Sequence, residues 1–371
     1  MSVMRGCEDK QRSMFVVGDL HTLVERRVAA DHPLRRIKVF ADRILRSMSA
    51  EFDAAYAKTG RCSIAPELLL RAMLWQAMYS IRSERMLEEE VQFDLRCRWF
   101  IGLPLDTDAW DHSVFSKARE DFMLQEFAHR FFELHVEMLR DEGLLSSDHL
   151  SIDGTLLAAW ASAKSLVSKD EIDKNGKPPK APPGGRNGWV DFKGKKRSNK
   201  THVSASDPEA KLASKGTGAK LSFEMSVLAE NRNNLAINFT VSSPTGTSER
   251  DDAAVLVGIE AMRGRTPMTV GADRKYADGD GLVCALDALG VTPHFAVRDD
   301  RPNALARLFH DDEAYAVSIR SRMRIEEIFA YVKCVAGLAK VKVHGLLRVL
   351  GVAAIGLAAY NLRRHASLCP A

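Results

Sequence analysis

The chain is poor in cysteine and in aromatic residues, and neither sign of charge dominates. Its six cysteines, at 7, 62, 97, 284, 334 and 369, form no Cys-x-x-Cys pair and no His/Cys cluster. That argues against zinc and fits reduced thiols in a cytoplasm. The balance of 53 basic against 49 acidic residues leaves a formal net charge of +4, so a polyanion would have to be met by local patches rather than by a global field. Met1 to Lys10 carries charges but no apolar core of the kind a signal peptide needs. The most apolar stretch, Val349 to Tyr360, falls short of the roughly 20 residues that cross a bilayer, so it reads as a buried packing helix and no membrane is expected. No Gly-x-Ser-x-Gly elbow occurs, and the adjacent His112 and Ser113 read as a helix start rather than as nucleophile and base. No internal repeat is visible.

Against these absences stand three acids in distinctive settings. Asp153 follows the apolar run Leu150 to Ile152, and Asp273 follows Met268 to Ala272. Both runs are short and β-prone, so each should end a strand and deliver a carboxylate to the edge of a sheet. Glu326 lies in the basic segment Arg322-Met-Arg-Ile-Glu-Glu-Ile-Phe-Ala-Tyr-Val-Lys333. If that segment is one continuous helix turning about 100° per residue, Glu326 and Lys333 fall within roughly 40° of Arg322, whereas Glu327 falls at around 140°. Glu326 would then be the third acid, flanked by two cations. Three carboxylates from distant parts of a chain suit two hard divalent cations, Mg²⁺ or Mn²⁺, which prefer oxygen ligands and support in-line displacement at phosphorus. Arg322 and Lys333 would neutralise a nucleic-acid backbone lying across them.

At 371 residues the chain is long enough for two domains. Residues 1–145 read as mostly helical. One helix opens near Pro66, a second runs from Ser83 to Phe100 with Met86, Leu87, Val91, Leu95 and Trp99 near one face, and a third begins at His112. Short turns between them allow a helix-turn-helix in which Lys117 and Arg119 face DNA. A solvated face on a dimerising bundle accounts for the same residues equally well. From Lys164 to Lys200 there are 11 basic and 4 acidic residues around a Lys-Pro-Pro-Lys-Ala-Pro-Pro-Gly-Gly-Arg centre. Such a segment is an extended loop whose cations, Lys195, Lys196 and Arg197 among them, would meet phosphate without reading sequence. Beyond it the pattern is β then α: strands at Lys220 to Glu230 and Leu235 to Ser242, a helix from Ser248 to Met262, the Asp273 strand, a helix from Asp280 to Leu289, a strand from Thr292 to Val297 and the Glu326 helix. This order predicts an α/β mixed sheet covered on both faces in residues 146–371.

Seven segments in order carry a resemblance: Tyr79-Ser-Ile-Arg-Ser-Glu-Arg, Arg98-Trp-Phe-Ile-Gly-Leu, Trp110-Asp-His-Ser-Val-Phe-Ser-Lys, Ile152-Asp-Gly-Thr-Leu-Leu-Ala-Ala-Trp-Ala-Ser, Glu230-Asn-Arg-Asn, Gly246-Thr-Ser-Glu-Arg-Asp and Ala359-Tyr-Asn-Leu. The chain resembles insertion-sequence transposases of the IS5 group, within the IS4-type set. The resemblance implies an RNase H-like catalytic domain, a DDE triad and two Mg²⁺ or Mn²⁺ ions. It also implies end recognition by the N-terminal part and action as a homo-oligomer, most simply a dimer, on double-stranded DNA, both terminal inverted repeats and target, in a bacterial cytoplasm at the nucleoid. In the family signature of Tyr, Arg, Glu and Lys, this chain keeps Arg322, Glu326 and Lys333 but has Ile319 at the Tyr position, with Tyr315 four residues earlier. Lys275 stands where relatives often have Gly. Two other readings use the same residues: a catalytically silent DNA-binding derivative, and a metal-dependent nuclease without strand transfer.

Overall fold

The alternating and fully apolar runs of the C-terminal half become one mixed sheet. In the computed structural model, which describes residues 25–56, 63–171, 197–214, 216, 218–300, 304–310 and 313–369, the chain divides into two compact units interleaved in sequence. One comprises residues 1–145, 327–337 and 350–371, the other 146–326 and 338–349. After Leu145 the chain therefore returns to the first unit twice, at 327 and at 350.

The second unit is built on a six-stranded sheet. Strand β1 (His149–Ala158) lies between β5 (Lys220–Glu230), with which it is antiparallel, and β7 (Thr269–Ala272), with which it is parallel; β8 (Thr292–Phe295) continues the parallel side. On the far edge of β5 run β6 (Leu235–Ser242) and the short β4 (Lys211–Ala213). A separate ribbon pairs β2 (Leu166–Ser168) with β3 (His202–Ser204). These two strands draw together the ends of the basic segment, of which residues 172–196, with Lys195 and Lys196, lie outside the described residues. Every residue of β5 after Lys220 is buried, as expected for a central strand covered on both faces.

Opposite faces of the sheet are covered by α8 (Ser248–Met262) and α10 (Glu313–Arg322), while α9 (Gly281–Ala288) packs on α8 and β8. The assignment to faces follows from strand alternation. A Cβ at Gly271 would lie 3.4 Å from the Ser318 carbonyl of α10, whereas one at Gly154, on the other side of the sheet, would meet Glu249 of α8.

Helix α10 does not continue to Lys333. It ends at Arg322, and after the turn at Met323 and Arg324 a new helix, α11 (Ile325–Ala330), leads into a π-helical turn at Tyr331–Val335. The break is enforced from outside the segment. Nη1 of Arg324 donates to the carbonyls of Asn231 and Arg232, and Asn234 Nδ2 donates to the Arg324 carbonyl at 2.9 Å. The β5–β6 turn thus grips the chain at the point where the helix would have run on, and the single-helix angles expected for Arg322, Glu326 and Lys333 do not apply.

The first unit is helical: α1 (Pro33–Ser47), α2 (Ser49–Ala55), α3 (Pro66–Met78), α4 (Glu84–Phe93), α5 (Leu95–Ile101), α6 (His112–Glu120) and α7 (Phe122–Asp141), joined by the later part of α12 (Leu346–Leu368). Helix α3 is buried at every position but Gln76, the signature of a central rather than a surface helix. The helix expected from Ser83 to Phe100 is two helices. Asp94 accepts from the backbone N–H groups of Arg96 and Cys97 and starts α5 afresh, which leaves Met86 and Leu95 exposed while Leu87, Val91 and Trp99 are buried. Arg98 is buried too, its guanidinium held by the carbonyls of Val91, Pro104 and Thr107, so it fastens the loop after α5. At 23 residues α12 is longer than its apolar stretch suggested and long and apolar enough to cross a membrane, yet 72% of its most apolar window is buried inside the protein. It is a packed helix here.

The tightest polar feature of this unit is a chain of two histidines. Neutral His365 donates through Nε2 to Glu142 Oε2 at 2.7 Å and accepts at Nδ1 from His135 Nε2 at 3.2 Å. His135 Nδ1 is buried without a hydrogen-bond partner, and Phe40 stacks on the His365 ring at 3.7 Å. Both imidazoles are thereby held neutral, and burial depresses both pKa values below the ordinary 6.5. In the unfolded chain they titrate normally and bind more protons than in the native protein. Stability is therefore lost as pH falls through about 6.5. The melting midpoint should drop between pH 7.5 and 5.5, and His135→Leu should flatten that slope. Equal slopes for both proteins would refute the assignment.

Candidate active site

The β1–β7 pairing carries the site. Its register matches His149 with Thr269, Leu150 with Val270 and Ser151 with Gly271. Continued two residues, the same offset sets Asp153 beside Asp273, on the face covered by α10 because alternate residues share a face. Asp153 does not end its strand as expected. It lies within β1, which runs on to Ala158 because β5 continues to pair with it, and it is β7 that stops, at Ala272. Asp153 thus sits where its neighbouring strand ends, and Asp273 is the first residue beyond that end.

Local hydrogen bonds fix both carboxylates. Asp153 Oδ1 accepts from the Gly154 N–H at 2.8 Å, and Asp273 Oδ1 accepts from the Lys275 N–H at 2.8 Å in an Asx turn that also brings Tyr276 N–H to the Asp273 carbonyl. Arg322, the last residue of α10, lies 3.6 Å from Asp153 Oδ2, with both side chains largely buried. Charge compensation for Asp153 thus comes from the helix that crosses its strand. Carboxylate oxygens, one on β1 and one in the turn that follows β7, are the donor chemistry a hard divalent cation requires, so Asp153 and Asp273 fit such an ion in kind.

Glu326, the second residue of α11, is exposed, as is Glu327. Among the described residues, the sets of three or more metal-competent side chains whose donor atoms lie within 4.8 Å of one another are Glu142–His365–Cys369 and Glu88–Asp111–His112. Asp153, Asp273 and Glu326 do not close to that separation. Lys333 lies in the π-helical turn. In the first unit Lys117 is exposed on α6, which packs against α4 and α7. The Arg119 side chain lies outside the described residues. Arg197 donates to the Ala163 carbonyl at 3.1 Å, beside the end of β1.

Glu249 and Tyr276 are not among the residues to which the sequence assigns a role. Glu249, in the first turn of α8, lies across Gly154, where a Cβ would sit 2.9 Å from its Cγ. Its Oε2 is 3.6 Å from Lys275 Nζ, so the lysine standing where relatives often have glycine pairs with an acid next to the site. Tyr276 is fully buried with its hydroxyl unpartnered, and its pKa is raised first by burial, then by the charges of Asp153, Glu249, Asp273 and Glu224. The signal for Glu249 was the Asp-Gly step, since only glycine admits that side chain over the strand. Beside it opens a cavity of about 650 Å³, lined among others by Glu224, Glu249, Arg250, Arg274, Lys275 and Arg298.

Residues 22–121 match a family model described as Transposase domain (DUF772). No curated protein and no solved structure matches the chain. The family match supports a transposase, an enzyme class that cuts and joins DNA.

The contact over Gly154 has a measurable consequence. Gly154→Ala should destabilise the protein by about 1–3 kcal/mol, because the new methyl must push Glu249 aside. In a Glu249→Ala background the same change should cost less than half as much in denaturant titrations. An undiminished cost would show that the strain lies elsewhere.

Proposed function

We propose that the chain is a DDE-type DNA transposase of the IS5 group. It would bind terminal inverted repeats and catalyse metal-dependent strand cleavage and strand transfer on an RNase H-like sheet. The observation that supports this reading is the β1–β7 register, which, continued by two residues beyond Ser151 and Gly271, would set two aspartates 120 residues apart side by side. The match to a transposase domain outside that sheet supports it independently.

In this reading Asp153, Asp273 and Glu326 hold two Mg²⁺ or Mn²⁺ ions. When bound, the ions supply an activated nucleophile and stabilise the entering and leaving oxygens at phosphorus. The chain's own residues do the rest. The Gly154 and Lys275 N–H groups keep the two aspartates in fixed rotamers. Arg322 stands at Asp153, close enough to steady a phosphate brought to that carboxylate. Arg274, Lys275 and Arg298 at the adjoining cavity give the DNA backbone a cationic border. End recognition belongs to the helical unit, with Lys117 and Arg119 of α6 as its DNA-facing cations, and Lys333 as a further phosphate contact. The protein acts as a homo-oligomer, most simply a dimer, in the cytoplasm.

The test is cleavage of duplexes carrying the sequences that bracket the reading frame, with EDTA abolishing the reaction and Mg²⁺ restoring it. Asp153→Asn and Asp273→Asn should each abolish cleavage and leave duplex binding within about two-fold of wild type, since charge changes with little change in shape. Glu326→Gln should also lose cleavage, whereas Glu327→Gln should keep most of it. Wild-type cleavage by either asparagine variant sinks the two-metal reading. The reverse order of the two glutamine variants would move the third ligand by one residue.

A further inference from the structure

Just beyond the end of β1 the chain carries an exposed indole. Beyond Ser151, where the described pairing with β7 stops, the next strand-like partner on that edge is Lys340, which forms a parallel bridge with Ala158. Ala158 N–H donates to the Ala339 carbonyl and Val341 N–H donates to the Ala158 carbonyl, so the two segments are locked together. The edge of β1 is thus framed by the Asp153–Asp273 pair near one end and by the 339–341 segment at the other. From Asp153 to Ala158 the strand rises by about 17 Å, the length of about five stacked nucleotides at 3.4 Å each.

Just past that end lies Trp160. It is 47% exposed, whereas Trp75 is 0% and Trp99 6% exposed, so the core does not use it. Lys340 Nζ lies 4.9 Å from its ring centroid, close enough for a cation–π contact that steadies the ring. The surroundings are cationic: Lys164, Lys340 and Lys342 are exposed, and Arg197 is fastened to the Ala163 carbonyl. An exposed ring set among cations is how proteins hold single-stranded nucleic acid, by stacking bases on the ring and pairing cations with the backbone.

We propose that Trp160, steadied by Lys340, is a stacking platform for an unpaired base of the DNA strand that runs along the β1 edge away from the Asp153–Asp273 site. Charge complementarity selects this occupant over a protein segment, because the cations around the ring match phosphates and any base offers a π-face. The inference rests on the transposase reading for its DNA but not for its chemistry, so it can be tested without cleavage.

The measurement uses the full chain in EDTA with two probes of one sequence, a single-stranded oligonucleotide carrying 2-aminopurine and the corresponding unmodified duplex. Trp160→Ala should weaken single-strand binding by about ten-fold and remove the quenching of 2-aminopurine that stacking causes. Trp160→Phe should retain most of both, and Lys340→Ala should give an intermediate loss. Duplex affinity should stay within about two-fold of wild type in all three variants. Unchanged single-strand binding and quenching in Trp160→Ala overturns the platform, as does an equal loss for both probes, and either result leaves the transposase reading standing. Self-association lost in Trp160→Ala with DNA binding intact would assign the ring to a protein contact and overturn the platform too. Cleavage of the bracketing ends by wild type, measured separately, decides the transposase reading.

Discussion

The constraint on which the catalytic half depends is the close approach of α10 to the β1–β7 pair. Gly271 faces the Ser318 carbonyl, where an added Cβ would already stand in van der Waals contact at 3.4 Å, so the helix backbone lies directly on this residue. With no side chain at 271, Ser318 can instead hydrogen-bond His294 of β8 at 2.8 Å, and the helix lies flat across three strands. Its end then falls at Asp153, and Arg322 reaches the carboxylate. A bulkier residue at 271 would raise the helix and withdraw that guanidinium. A small residue at 271 thus supports charge compensation at the site, although it touches nothing that reacts.

Much of the sheet was legible in advance because its signals are local. Lys220–Glu230, Leu235–Ser242 and Ser248–Met262 follow from apolar patterning and turn residues, and the structure has the same bounds. The carboxylate at the end of Met268 to Ala272 was legible for the same reason. What failed did so where distant contacts decide. Nothing within Arg322 to Lys333 breaks a helix; the break is made by Asn231, Arg232 and Asn234, some 90 residues away. Asp153 was read as a strand end because it closes the apolar run Leu150 to Ile152, yet β1 continues because β5 offers it nine partners from Leu150 to Ala158. Asp94 could have been read as a cap that divides Ser83 to Phe100, and the apolar periodicity across it concealed that.

The helical unit makes a related point about where a chain's segments belong. Its core is completed by residues 327–337 and 350–371, and the buried His365 that anchors Glu142 comes from the second of these. A fragment ending at Leu145 would keep His135 and Glu142 but lose the ring that joins them. Continuity in sequence is therefore a poor guide to what can be cut out, and the family match over residues 22–121 covers only part of what this unit needs in order to pack.

The turn at Met323 and Arg324 also changes what the helix around Glu326 can do. On one rigid helix, a phosphate-binding arginine and a metal-binding glutamate four residues apart would move together, and displacing either would displace both. Here Arg322 ends α10 and is held at Asp153, while Glu326 belongs to a helix that starts afresh beyond a turn clamped to the β5–β6 connection. The clamp is a handful of hydrogen bonds to backbone carbonyls, each worth on the order of 1 kcal/mol, more where the guanidinium donates. Packing of α10 on the sheet is far more extensive. Buried Ile325 and Ile328 fix the helix itself, but the Glu326 side chain is exposed and can adjust to what is brought to it while Arg322 stays at Asp153.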